Sequence, residues 1–279
     1  MIWGLCSGGW LSALTAGAAD PYRAQIDLLV EHDLHATSWS AAELLAMAPG
    51  RREEVAGWCA QHDIRVVLGV GFDYLTHDED EVARGTDRAL AAIDALAGLF
   101  RIPVCSTGIR RQYHHYSRDY PVARQIDRLS VTMAPLARAC HERGSPLAIH
   151  TVAHFGADLA EVCRRVPGLG LLFDTANCFL IGEPPLQAAE ACAPYTLATH
   201  FKDHRVEPSF EPLGLRARGA VPGKGDVGLS TIYRLLREKA PHPDDLVMEL
   251  EIDPVPDEKG GWRDRREVLR EAVAFVKSL

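Results

Sequence analysis

Positive charge is scarce in this chain, and that is the first constraint. Thirty Lys and Arg stand against 38 Asp and Glu, leaving a net charge of −8 and an isoelectric point near 5.8. A nucleic-acid backbone demands clustered cations, so the balance argues against DNA or RNA as a partner. Cysteine pairing is also missing. Cys6, Cys59, Cys105, Cys140, Cys163, Cys178 and Cys192 are odd in number, and no two have Cys-x-x-Cys spacing. This argues against a disulfide framework or a zinc finger and points to reduced thiols in a cytoplasm. No Gly-x-Gly-x-x-Gly follows the first strand signal, and Gly69-Val70-Gly71 lacks the third glycine, so a dinucleotide site is unsupported.

Long apolar runs are missing as well. Residues 1–19 are largely apolar and end in Ala16-Gly17-Ala18-Ala19, like a signal-peptide cleavage site. Yet no Lys or Arg precedes Arg23, and Gly4, Gly8 and Gly9 interrupt the run. The segment reads as a strand, a Gly-rich loop and a helix. No other stretch approaches the ~20 apolar residues of a membrane span, so no membrane partner is expected.

What is present is alternation. Strand signals occur at Ile2–Cys6, His35–Ser38, Arg65–Val70, Val104–Thr107, Leu147–His150, Gly170–Asp174, Leu197–Phe201 and Leu246–Glu251. Helical stretches separate them. Asp20-Pro21 is an N-cap followed by proline at the first helical position. Ser40-Ala41-Ala42-Glu43 matches a capping box. Residues 79–99 are helical in period, Ser230 precedes another helix, and Leu269, Ala272, Val273 and Val276 mark the last. No linker or composition break divides the chain. Eight βα units in 279 residues predict one domain, 1–279, a single (β/α)8 TIM barrel.

Four of the strand signals end in a metal-ligand type: His150, Asp174, His200 and Glu249. In such a barrel, function gathers at the carboxyl ends of the strands. Neighbouring strands lie ~4.8 Å apart, so four ends on one arc can converge on a single ion. Nitrogen and oxygen ligands suit a divalent transition metal, which acts as a Lewis acid on a carbonyl. His154, in the loop beyond His150, competes for the same role. Lys202 is two residues past His200 and shares its strand face. It is the candidate for binding a carboxylate or moving a proton, against a plain ion pair with Asp203 or another acid.

Phe173-Asp174-Thr175-Ala176-Asn177, Ile181-Gly182-Glu183-Pro184-Pro185, Thr199-His200-Phe201-Lys202-Asp203 and Pro222-Gly223-Lys224-Gly225-Asp226-Val227 resemble successive motifs of the xylose isomerase-like TIM barrels. That superfamily contains sugar isomerases and epimerases, sugar-acid dehydratases and lyases, and endonuclease IV-type repair enzymes. The resemblance implies one divalent ion (Mn, Co, Zn or Mg, the histidines disfavouring Mg), a small anionic or neutral carbohydrate substrate, and a homodimer as the family-level expectation. It also implies Glu, Asp, His and Glu at the ends of strands five to eight. Asp174, His200 and Glu249 match; His150 departs. Epimerases of the family resemble two-base machines with a Glu on each side of the sugar. The departure therefore favours a lyase or decarboxylase acting on an oxo sugar acid through a metal-stabilised enediolate. An isomerase or epimerase is the alternative, and a non-catalytic binding barrel a further one. The endonuclease, with three zinc ions, needs more His and Glu ligands than the early strand ends offer.

The expected catalytic residues are Lys202, Glu249 and His150, with Glu251 in reserve. The expected substrate contacts are Asn177, Arg205, Arg110, Trp39, His154 and Lys224. Trp10 is a candidate for an apolar wall. Arg111, His114 and His115 share the aromatic loop of Arg110, where substrate binding competes with a subunit contact. The Arg205–Gly228 segment is long for a βα loop and reads as a cationic lid or a plain surface loop.

Overall fold

The structure, a computed structural model, describes residues 1–209 and 214–279, with the side chains of Gly9 and Trp10 outside the description. Ten strands are present among them: β1 Ile2–Leu5, β2 Ala36–Ser40, β3 Arg65–Gly69, β4 Cys105–Gly108, β5 Leu147–His150, β6 Leu169–Asp174, β7 Thr196–Phe201, β8 His204–Pro208, β9 Leu215–Gly219 and β10 Val247–Leu250. Eight of them close into a parallel barrel in the order β1-β10-β7-β6-β5-β4-β3-β2. This is the expected (β/α)8 TIM barrel. No described helix is long and apolar enough to cross a membrane.

The period-2 alternation of the strands sorts side chains to the two faces of the barrel wall. Ala36, Val67, Val104, Ala148, Leu172, Ala198 and Val247 cluster in one buried layer. This layer plugs the barrel, so Leu172→Ala would open a void costing about 2–5 kcal/mol. Two residues further along each strand come the functional positions. Gly4 permits the wall to close: a Cβ there would lie 2.2 Å from the Ala36 carbonyl oxygen.

Aspartate side chains cap three of the described helices, and two expected starts differ. Asp20 accepts from Arg23 N and opens the helix Pro21–Glu31, and Asp78 accepts from Glu81 N ahead of Glu79–Ala97. The last helix, Arg265–Val276, buries Leu269, Ala272, Val273 and Val276 as its period requires. Ser40, by contrast, makes no side-chain cap bond, so the capping box does not form. The helix near Ser230 begins one residue earlier, at Leu229, because Gly228 reaches φ +80° and turns the chain into it. The Gly-rich segment Ser7–Leu11 coils as a wide helical turn rather than a loop.

The Arg205–Gly228 segment is not a simple loop. β8 and β9 pair antiparallel, from His204–Gly219 to Pro208–Leu215, and form a hairpin over the barrel rim. Residues 210–213 of the expected lid lie outside the described residues. All seven cysteines are free and buried.

Candidate active site

Strand register sets the site. Asp174 on β6 stands opposite His200 on β7, and His200 opposite Glu249 on β10. His150 ends β5 beside them. His150 Nε2 lies 3.1 Å from His200 Nδ1 and 3.5 Å from Asp174 Oδ2, and the third edge, His200 Nδ1 to Asp174 Oδ2, is 4.0 Å. Three atoms each about 2.1 Å from a shared ion have separations of this size. The Asp-Thr-Ala-Asn motif explains why Asp174 is aimed correctly. Its Oδ1 accepts from the backbone N–H groups of Ala176 and Asn177, at 2.9 Å each. That leaves Oδ2 facing the cluster, fully buried and accepting no hydrogen bond. A buried carboxylate oxygen needs a cation to answer it; the Lys202 ammonium lies 3.1 Å away, and the trio His150, Asp174 and His200 could hold a metal ion at the same oxygen.

Lys202 reaches the same centre. Its Nζ is 3.1 Å from both Asp174 Oδ2 and Glu251 Oε2. Thr175 Oγ1 accepts from Lys202 N and donates to Lys202 O, which locks the backbone there. The acid partner is therefore not Asp203, whose carboxylate accepts from Gly223, Gly225 and Val227 N–H groups. That wrap accounts for the Pro-Gly-Lys-Gly-Asp motif: a Cβ on Gly225 would lie 2.2 Å from Asp203 Oδ1. Glu251 Oε2 also lies 3.1 Å from His200 Nδ1, whereas Glu249 stands behind the ring, 3.7 Å from Nε2. Glu251 rather than Glu249 thus joins the side of His200 that faces His150. Sequence reading held Glu251 in reserve only; the two-residue strand period was the signal for it.

The charges are strongly coupled. Burial works against the Lys202 ammonium, but Asp174, Glu251 and Asp253 outweigh it and hold the group above the usual lysine range. Burial likewise opposes ionised Asp174, yet Lys202 and the two histidines hold it below the carboxylate range. Burial, then His200, lower His150. Burial opposes charge on His200, while Cys6 and Glu251 raise it well above an ordinary histidine. Burial would raise Glu251, but His200 and Lys202 bring it down. Glu249, wholly enclosed and with neither oxygen accepting a hydrogen bond, is pushed by burial up to about 7, against the pull of His200.

Beside the cluster a cavity of about 410 Å³ opens toward β1–β4. Its wall includes Ser38, Ser40, Gly69, Ser106 and Gly108, with Cys6, His150 and His200 at one side and neither Lys nor Arg. A larger cavity, about 700 Å³, lies at the opposite mouth among Arg65, Arg101, His141, Tyr195 and His242. The ligand cluster is at the first mouth, so the chemistry is assigned there.

The remaining expected contacts are engaged elsewhere. Arg110 pairs with Asp73 at 3.5 Å, Arg205 donates to the Lys224 carbonyl, and Lys224 Nζ is 2.7 Å from Glu271. Trp39 borders the cavity but is core, its Nε1 donating to Gln25 Oε1 at 2.9 Å. Asn177 donates to the Thr151 carbonyl. His154 is buried, with Nε2 2.8 Å from Gln125 Oε1, and does not join the ligand cluster. His115 stacks on Phe155 and pairs with Asp158, while the His114 carbonyl accepts from Gln125.

The xylose isomerase-like TIM barrel family model matches residues 26–278. The chain belongs to this family. No protein of curated function matches its sequence. Among solved structures similar to this family member is D-psicose 3-epimerase with D-tagatose from Clostridium cellulolyticum H10, at TM-score 0.73 and 14% identity, covering 99% of this chain and 97% of that one. The probable 3-DHS dehydratase involved in petrobactin synthesis from Bacillus anthracis gives 0.71 and 13%, covering 99% of both chains. A xylose isomerase-like TIM barrel protein from Mycobacterium smegmatis in complex with magnesium gives 0.61 and 15%, covering 92% and 90%. At these identities the likeness is one of fold.

Proposed function

We propose that this chain is a divalent-metal-dependent isomerase of a small neutral sugar. One observation carries the reading: the cavity beside the His150, Asp174 and His200 cluster is walled by hydroxyls and glycine backbone and contains no Lys or Arg. Such a wall hydrogen-bonds a polyol, and the one ammonium at its edge, Lys202, is already paired with Asp174 and Glu251. The cations expected to bind an anionic substrate, Arg110, Arg205 and Lys224, are spent on Asp73, a carbonyl and Glu271. Preference therefore moves from the decarboxylase to the isomerase.

His150, Asp174 and His200 would hold the ion, which when bound supplies electrophilic polarisation of a carbonyl and its neighbouring hydroxyl. Glu249 stands behind His200 Nε2 and orients the ring. Glu251, kept ionised by His200 and Lys202, is the base that takes a proton from the carbon beside the carbonyl and returns it to the next carbon on the same face. Lys202 balances the carboxylates and donates to the developing oxyanion. Epimerisation at one carbon needs a second base on the opposite face, and the β5 residue, His150, is committed to the ion. Water elimination is a second reading, favoured by the Lys202 ammonium beside Glu251, where it can protonate a leaving hydroxyl.

The test combines metal content with isotope exchange. About one divalent ion per chain is expected, lost in Asp174→Asn, together with deuterium incorporation beside the carbonyl of a ketose or aldose from a panel in D2O. Absence of bound ion after incubation with Mn, Co or Zn overturns the metal reading. Bound ion with exchange only into oxo acids, or with CO2 release, overturns the isomerase.

A further inference from the structure

The proposed ligand trio leaves Cys6 unexplained. Cys6 follows β1 directly, and its N–H donates to the Leu250 carbonyl at 3.0 Å, which fixes it against the end of β10. Gly4 is closed against Ala36, so Cys6, two residues on, is the next inward position of β1. Its thiol borders the substrate cavity together with His150 and His200. Ligand atoms of Cys6, His200 and Glu251 lie within 4.8 Å of one another. The trio of His150, Asp174 and His200 satisfies the same limit; the two groups share His200 alone, which places Cys6 on the Glu251 side of that ring. Ser38 Oγ donates to Cys6 Sγ at 3.6 Å and holds the sulfur at the cavity wall.

We propose that the Cys6 thiolate is a fourth ligand of the ion, its side chain turning from Glu251 toward the trio across His200 when the ion binds. The proposal rests on the metal reading given above. On binding, the sulfur–proton bond breaks, the proton passes to solvent, and the sulfur lone pair bonds the ion. One thiolate and one carboxylate then neutralise a divalent charge, and Lys202 remains balanced by Glu251. A sulfur, oxygen and two-nitrogen set suits zinc or cobalt and disfavours magnesium and manganese, which prefer oxygen donors. Cys6 thereby selects the metal.

Cobalt(II) tests this on the full chain, because a thiolate ligand produces a sulfur-to-cobalt charge-transfer band in the near ultraviolet. The expected result is about one cobalt per chain with that band, the band disappearing in Cys6→Ser while cobalt remains bound. Cys178→Ser, also near Asp174, should keep the band. The preference for zinc over manganese should fall at least tenfold in Cys6→Ser. Cobalt bound without the band, or a band that survives Cys6→Ser, overturns the thiolate ligand and leaves the metal reading standing. No cobalt bound at all overturns the metal reading itself. If Cys6→Ser fails to fold, alkylation of the wild-type chain followed by peptide mapping decides. Zinc should protect Cys6, and equal labelling with and without zinc overturns the proposal.

Discussion

The Lys202 ammonium lies 3.1 Å from Asp174 Oδ2, in a barrel interior that leaves the lysine side chain 7% and the aspartate 0% exposed. Removing one partner of such a pair strands the other charge, at a cost of about 3–5 kcal/mol. Lys202→Met should therefore destabilise the ion-free protein by roughly that amount. A bound ion answers Asp174 in place of the ammonium, so the loss should shrink by at least half when zinc or cobalt saturates the site. Urea unfolding with chelator and with metal measures both. An equal loss under the two conditions would show that the lysine and the ion do not share a carboxylate.

His154 gives a pH prediction away from that centre. Burial pushes its imidazole down to about 4 from 6.5. Between those values the unfolded chain takes up the proton and the folded one does not. The contribution to stability is complete above pH 6.5 and lost as pH falls toward 4, roughly 3 kcal/mol at most. His154→Gln should flatten the stability profile over that window. A variant that keeps the wild-type slope would assign the acid sensitivity to other groups.

Ser106 tests the substrate wall. It lines the cavity beside Gly69 and Gly108 and supplies no ligand to the cluster. Ser106→Leu should fill part of the cavity and raise KM for the sugar at least tenfold. Metal content should be unchanged, and urea stability should move by only about 1 kcal/mol. Loss of metal in this variant would mean that the cavity and the cluster are not separable.

Gly4 tests barrel closure. The added methyl of Gly4→Ala would have to displace the Ala36 backbone, since the nearest atom is a carbonyl oxygen at 2.2 Å. A loss of about 3 kcal/mol or more is expected from urea unfolding, with weakened metal binding because Cys6 is carried on the same strand. Wild-type stability would mean that β1 can shift freely at this point.

The barrel was legible because strand period and spacing agreed along the whole chain, even where a cap such as Ser40 does not form. His150, Asp174 and His200 were legible because each ends an apolar run, where a polar residue stands out. Cys6 did not stand out, since a cysteine after Ile2-Trp3-Gly4-Leu5 looks like core, and only its inward register reveals it. The fate of His154 was hidden because its partner, Gln125, is 29 residues away in sequence. The β8–β9 hairpin was missed because it is mostly half-buried to exposed at the rim, and its short strands carry few large apolar residues beyond Val206 and Leu215.

The mouth of the barrel is split in two. The proposed ligands come from β5, β6, β7 and the residue after β1, while β2, β3 and β4 contribute Ser38, Gly69, Ser106 and Gly108 to the cavity. Ser38 touches both arcs through Cys6; Gly69, Ser106 and Gly108 can change apart from the ligands. Substitutions confined to those three positions would retune which molecule is accepted without disturbing the proposed ligand set, which makes this chain a scaffold for directed evolution of substrate range.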